Sequence, residues 1–432
     1  MPRTHSRGFV ERAGVRLHYR EWEAKESTAP PLFWLHGLSS NALFWERLAQ
    51  RLPHRRIVAL DQRSHGLSDR PDEGNEPAEL VADAAHVIDQ LGLGRPLVAG
   101  HSWGASIALE LAATHPELAC GLFFIDGPAL PMSQFMSWDD VAVRMQPPFP
   151  VFADLLEANL HQKGYLDSAW DEDLERFVEA GMRPVEGGYA STLTSPVRLQ
   201  MLKGMFTYQP QLLWGKVEGP LWVAHALQRP GVPAAAEEAR RRASEELTRV
   251  RPDARVIWYD ARHDIPLILP ELMALDVERL AVCASWRELA ARTAAVGGDL
   301  DRPVPGDAPG WSAHDLLAHL VSTQVAMVQI TRSAGAEPRA ASAPFDPDRW
   351  NAGQVARRRE RTGDELKQEL VAAELDLEQA LAEADLNAPV NAGTQVGTPL
   401  GEAHQAMLQH QRDHLADLVA AVAPGPGPEQ LS

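Results

Sequence analysis

Gly100-His101-Ser102-Trp103-Gly104 is a G-x-S-x-G pentapeptide set between the apolar run Pro96–Ala99 and the small, apolar run Ala105-Ser106-Ile107-Ala108-Leu109. A serine on so sharp a strand-to-helix turn needs small residues two positions to either side, because the backbone nearly collides there. The turn holds the hydroxyl out, close to the positive end of the following helix. A hydroxyl that attacks must lose its proton, so a histidine has to stand beside it. His263, in Ala261-Arg262-His263-Asp264-Ile265-Pro266 just past the apolar run Arg255–Tyr259, is the first candidate. His225, at the end of the run Leu221–Ala224, is its competitor, while His36, His65 and His101 lie in other loops.

A second cluster lies near the end of the chain. His410 and His414 fall at i and i+4, which puts two imidazoles on one helical face, as a divalent metal requires. His319 sits among apolar neighbours in Leu316-Leu317-Ala318-His319-Leu320, where an unpaired imidazole would be costly, and is the candidate third ligand. His314, five positions earlier, lies on a different face. The chain has 2 cysteines, Cys120 and Cys283, far apart, so neither a thiolate zinc site nor a disulfide framework is available and histidine is left as the ligand.

The elements that position these residues change character along the chain. Val15–Tyr19 alternates like a strand. Leu32–Leu35, Ile57–Leu60, Leu97–Ala99, Leu122–Ile125, Leu221–Ala224 and Arg255–Tyr259 are short apolar runs suited to a buried parallel sheet. The interval between Ile125 and Leu221, about 95 residues, is too long for a loop and reads as a mostly helical insertion, a cap over about 131–214. Trp138, Phe149, Phe152, Phe177, Met201, Met205, Phe206 and Trp214 are its apolar material. Beyond residue 283 the strand runs stop, and Ser285–Val296, Ser312–Thr331, Asn351–Ala384 and Pro399–Val422 read as the helices of a bundle. Ser333–Asp348 reads as an exposed connection, and 424–432 as a disordered tail.

With 432 residues, two domains are expected, 1–282 and 284–423. The net charge is −18, of which −9 falls after residue 283 (12 Lys+Arg against 21 Asp+Glu), so neither part offers the basic footprint that nucleic acid or an anionic membrane demands. No run approaches the ~18 apolar residues of a membrane span, and no apolar leader opens the chain. A soluble, cytoplasmic protein is expected.

Two further segments join the pentapeptide: His36-Gly37 after Leu32–Leu35, and the D-x-R-x-x-G-x-S turn Asp61–Ser68 after Ile57–Leu60. Carrying these motifs, the first ~280 residues resemble the α/β-hydrolase family, particularly its epoxide-hydrolase and C–C-hydrolase-like branches. The resemblance implies an α/β fold with a helical cap, His263 as the base, and an oxyanion hole from the backbone N–H groups of Leu38 and Trp103. Serine at position 102 departs from the carboxylate nucleophile of epoxide hydrolases and dehalogenases and favours acyl chemistry on an ester, lactone, amide, thioester or activated ketone. The family's commonest acid position, shortly after Leu221–Ala224, holds no carboxylate here; Glu237 and Glu238 follow only in a surface helix. Some members carry the acid one strand earlier, which in this chain is Asp126. Asp264, adjacent to His263, would point away from the ring.

The segment from about Trp286 to Val422 resembles the DinB-like four-helix bundles, especially the amino-terminal domain of mycothiol-dependent maleylpyruvate isomerases, through Gly310-Trp311-Ser312, Ala318-His319-Leu320, Trp350-Asn351 and the closing HxxxH. It implies a divalent metal, zinc foremost, on His319, His410 and His414, with a low-molecular-weight thiol as co-substrate. A bundle without metal would instead serve dimerisation or support, so a homodimer is carried as an expectation. The sequence therefore points to a serine hydrolase of small organic molecules with a Ser102–His263–Asp126 triad. The alternative places a metal- and thiol-dependent transferase or isomerase activity in the bundle, with the hydrolase fold as a substrate-binding partner.

Overall fold

The computed structural model describes residues 3–24, 29–134, 136–144, 150–166, 170–232, 234–305, 310–336 and 345–423. Phe149, the central part of the 333–348 connection and the 424–432 tail lie outside them. The chain divides into two compact units, 1–281 and 282–432.

The first unit is built on an eight-stranded sheet of order β1-β2-β4-β3-β5-β6-β9-β10. Its strands are β1 (Ser6–Arg12), β2 (Val15–Trp22), β3 (Leu32–Leu35), β4 (Ile57–Leu60), β5 (Leu97–His101), β6 (Gly121–Ile125), β9 (Leu221–Ala226) and β10 (Arg255–Tyr259). Every residue of β3, β4, β5, β6 and β9 is buried, as apolar runs covered on both faces by helices should be. These strands and β10 run parallel, while β2 joins β4 antiparallel and the half-exposed β1 completes that edge. The parallel register sets His101 opposite Ile125 and Ile125 opposite Ala224, so the residues that follow three adjacent strands emerge at one carboxyl edge. That edge is where open α/β sheets place their ligands.

The cap contains the helices Trp138–Arg144, Leu155–Leu166, Glu172–Ala180 and Ser195–Thr207. It also contains a hairpin, β7 (Met182–Val185) with β8 (Gly188–Ser191), which the mostly helical reading did not include. Its two-residue turn ends on Gly187 at φ 85°, and a Cβ on Gly188 (φ 144°) would stand 1.9 Å from the Phe152 carbonyl oxygen, so glycine is required there. Of the cap's large apolar residues, Met201, Met205 and Trp214 are buried in the main hydrophobic core, Trp214 edge-on to Phe124, rather than facing substrate.

In the second unit, two helix boundaries differ from the sequence reading. The helix expected at Ser285–Val296 is the end of a 25-residue helix, Pro270–Ala294, because no helix breaker intervenes after Pro270. The expected Asn351–Ala384 helix is two, Pro347–Arg358 and Gly363–Glu383. Thr362 starts the second through a capping box with Glu365, which satisfies amides that a continuous helix would have used internally. Ala313–Ser333, capped in the same way by Ser312 and Asp315, and Leu400–Val422 complete the bundle. Leu316, Leu320, Leu366, Leu370, Leu377, Leu408, Leu415 and Leu418 are buried at helical spacing and form its apolar interior. Among the described residues no helix is long and apolar enough to cross a membrane.

Candidate active site and metal centre

Ser102 closes β5 at φ 54° and ψ −120°, a strained backbone for a residue with a side chain, and the helix Trp103–Thr114 follows at once. The flanking glycines make this turn sterically feasible. A Cβ on Gly100 would lie 2.1 Å from the Gly104 carbonyl oxygen, and a Cβ on Gly104 would lie 2.4 Å from the carbonyl oxygens of Leu35 and His36. The turn after β3 therefore presses on the elbow: a Cβ on Gly37 would come within 3.1 Å of Ser102 Cβ. That approach brings the Leu38 segment beside the serine. Trp103, as the first helical residue, has no carbonyl four positions back for its own N–H. Leu38 and Trp103, the residues expected to supply oxyanion donors, thus both lie beside Ser102.

His263 and Asp126 meet. His263 Nδ1 donates to Asp126 Oδ2 at 2.6 Å. Burial disfavours the charged imidazole, but the hydrogen bond and charge of Asp126, with Asp264 adding, outweigh it and raise the His263 pKa. Burial likewise works against the Asp126 carboxylate, yet the imidazoles of His225 and His263 and the Arg229 charge hold its pKa well below the usual range. His101 Nε2 donates to the His263 carbonyl oxygen at 3.0 Å, and the two rings lie 4.6 Å apart, so the nucleophile's neighbour fixes the loop that carries the base.

The other histidines have different tasks. His225 is fully buried, pairs through Nε2 with Ser244 Oγ at 2.9 Å, and places Nδ1 at 3.8 Å from Asp126 Oδ1, too far for a hydrogen bond. It borders Asp126 and is not among the described residues that line the cleft with Ser102 and His263. His36 and His65 are buried and held neutral, His65 at about 3 through burial and the nearby His36. Each accepts a backbone N–H, from Gln62 and Ser39 respectively. Asp61 organises the D-x-R-x-x-G-x-S turn by accepting from Ala42 N and Leu67 N and pairing with His18.

The sequence did not reveal Arg240. From the helix Ala234–Val250, its Nη1 donates to Asp126 Oδ1 at 3.0 Å and its Nη2 to the Ala226 carbonyl at 2.8 Å, while the Ala226 N–H donates to the same Asp126 oxygen at 3.0 Å. Nothing local marks an arginine 114 residues away as the acid's partner.

Ser102 and His263 line one cleft of about 260 Å³ with Leu38, Ser39, Phe152 and Phe177. The arrangement places a serine hydroxyl, an imidazole oriented by a carboxylate and nearby backbone amides at a shared cavity, a set of groups that can perform acyl transfer.

In the bundle, His319, His410 and His414 each offer a ring nitrogen within 4.8 Å of the others. His319 Nε2 and His410 Nε2 are 3.1 Å apart, a spacing suited to imidazoles each about 2.0–2.1 Å from a shared ion. Burial and the two neighbouring rings hold His319 neutral, at about 3, as a ligand must be. The three histidines can hold a metal. A cavity of about 860 Å³ opens beside His319 and His410, bordered also by Trp350, Asn351 and Gln354.

Comparison with known proteins finds two families on different parts of the chain. Residues 30–211 match the alpha/beta hydrolase fold family, and residues 282–420 match the mycothiol maleylpyruvate isomerase N-terminal domain. The 2-(acetamidomethylene)succinate hydrolase of Mesorhizobium japonicum is 27% identical over 267 residues, 61% of this chain and 90% of that protein. Epoxide hydrolase A of Mycobacterium tuberculosis is 33% identical over 130 residues, 29% of this chain and 40% of that protein, so the match spans less than half of the relative. Among solved structures, E-2-(acetamidomethylene)succinate hydrolase aligns with a TM-score of 0.55 at 26% identity, covering 64% of this chain and 99% of that one. A thioesterase domain from the curacin biosynthetic pathway aligns with a TM-score of 0.53 at 19% identity over 63% of this chain and 98% of that one, a likeness of fold alone.

Proposed function

We propose, from the premise that this chain is a hydrolytic enzyme of the alpha/beta hydrolase fold joined to a mycothiol maleylpyruvate isomerase N-terminal domain, that Ser102 cleaves an acyl bond of a small organic molecule. The observation that carries this reading is the His263–Asp126 hydrogen bond of 2.6 Å on the cleft that also exposes Ser102. Ser102 Oγ attacks the acyl carbon and its proton passes to His263 Nε2. Asp126 holds Nδ1–H and stabilises the imidazolium. The Leu38 and Trp103 amides receive the oxyanion, an interaction commonly worth about 3 kcal/mol per donor in the transition state. His263 then protonates the leaving group, and water, deprotonated by the same ring, releases the acid and restores the serine. The substrate is an ester, lactone, amide or thioester.

In the bundle, His319, His410 and His414 hold a divalent ion, with zinc the best match to three imidazoles; such an ion would supply Lewis acidity and lower the pKa of a bound water or thiol. The large cavity beside His319 and His410 favours a second reading, in which a metal- and thiol-dependent transferase or isomerase activity resides there. A panel of acyl substrates, run with and without chelator and with and without an added low-molecular-weight thiol, separates the two. Turnover that Ser102→Ala abolishes and chelator spares supports the hydrolase reading. Turnover that needs metal and thiol but not Ser102 supports the other.

A further inference from the structure

The acid of this site is backed by a cation. Asp126 is 3% exposed, and behind it Arg240, itself 6% exposed, donates to the carboxylate oxygen not used by His263. Arg240 stacks over Trp258 at 4.9 Å and ion-pairs with Glu237 one turn earlier on its helix. The line His263–Asp126–Arg240–Glu237 therefore runs from the cleft to the partly exposed Glu237, alternating in charge once His263 is protonated. An imidazolium is stabilised by a carboxylate and opposed by a guanidinium beyond it; screening that guanidinium with Glu237 weakens the opposition.

We infer that Arg240 is a positioning residue, which fixes the Asp126 carboxylate toward His263 and sets, against Glu237, the pH at which His263 becomes a free base. This rests on the Ser102–His263–Asp126 reading. A purely structural role would be to tie the helix Ala234–Val250 to the end of β9 through Ala226. That role predicts altered stability but no altered ionisation. The remaining charged or titratable groups facing the pair are His101 from β5, His225 from β9, Arg229 from the turn after it, Arg241 on the same helix and over the same Trp258 ring, and Asp264 beside His263. His101 and His225 are kept neutral by burial, so they supply no competing charge. Arg229, 4.0 Å from Asp126 Oδ2 with a half-buried side chain, is a second cation that lowers the pKa of both Asp126 and His263; Arg240 differs from it in making the direct 3.0 Å bond to the carboxylate.

The test is the rate at which a fluorophosphonate probe phosphonylates Ser102 in the full-length protein between pH 5.5 and 9. In that step the Oγ–P bond forms, the P–F bond breaks, fluoride leaves and the serine proton passes to His263. Arg240→Gln should make His263 more basic, lowering the ratio of the pH 6 rate to the pH 9 rate about tenfold relative to wild type. Arg240→Lys should keep that ratio within about twofold. Glu237→Gln, which unscreens Arg240 and keeps the shape of the side chain, should shift the limb the opposite way and raise the ratio. Identical ratios in all four proteins would overturn the inference. If Arg240→Gln does not fold, an unmoved Glu237→Gln profile overturns it alone. Wild-type labelling that survives Ser102→Ala would instead refute the triad reading, and the inference with it.

Discussion

Ser102 and Asp126 leave neighbouring strands side by side. Ser102 N donates to the Ile125 carbonyl at 2.8 Å, and the two residues take left-handed backbones at φ 54° and 43°. Ser102 and Asp126 are thus turned out of the sheet at adjacent strand ends by the same device, and His263, reaching from the loop after β10, bonds Asp126 and lines one cleft with Ser102. Strain at both positions is tolerated because the surrounding sheet fixes them.

Replacing Asp126 with Asn should therefore hit chemistry rather than binding. The isosteric amide presents the wrong group to Nδ1 and loses the charge that stabilises the imidazolium. With the preferred acyl substrate, kcat is expected to fall by about 10³–10⁴ with KM nearly unchanged. A variant with undiminished kcat would remove Asp126 from the triad.

Gly104→Ala should cost stability before it costs catalysis. The added methyl meets two carbonyl oxygens at 2.4 Å, and neither belongs to a flexible side chain. Denaturant titration should show a loss of about 3 kcal/mol or more in the first unit. A wild-type midpoint would mean that the elbow packs less tightly than described.

The pH dependence follows from the opposed shifts of the coupled pair. The His263 pKa is raised, so kcat/KM should climb through an acid limb displaced upward from an ordinary histidine's, which a pH–rate profile reads directly. For stability, a raised histidine pKa contributes fully below the unfolded value and is lost as pH rises through the folded one. The depressed Asp126 contributes above its unfolded value and is lost as pH falls through its folded one. The stability gap between wild type and Asp126→Asn should thus be widest in weak acid and narrow toward both extremes, measured by urea midpoints from pH 3 to 9.

Metal analysis of the purified protein should find one equivalent of a divalent ion, lost in His410→Ala and in His414→Ala, with the melting temperature of the second unit lowered by chelator. Retention of stoichiometric metal in both variants would exclude this cluster as its holder.

Thr362→Ala should destabilise the bundle by about 1 kcal/mol, because the hydroxyl caps Glu365 N at the start of Gly363–Glu383. Thermal melts of the alanine variant against Thr362→Ser, which keeps the cap, would show it. Equal melts would mean that the capping box contributes little.

The sequence by itself determined the elements whose signals are local. Runs buried on both faces, such as Leu32–Leu35 and Leu221–Ala224, identify themselves as central strands, and glycines two residues from Ser102 identify the elbow because only glycine escapes the collision there. The HxxxH spacing of His410 and His414 is fixed by helix geometry alone. The Met182–Ser191 hairpin and the break at Thr362 had local signals too, Gly187-Gly188 and the Thr362/Glu365 capping box, which broader apolar patterns obscured. What only the tertiary structure decided is pairwise and long-range: which carboxylate meets His263, that His225 turns away to Ser244, that His319 joins a helix 91 residues later, and that Arg240 backs Asp126. Such contacts arise where separate elements converge at a sheet edge or a bundle interior, and burial there makes each polar group depend on a partner that no neighbouring residue announces.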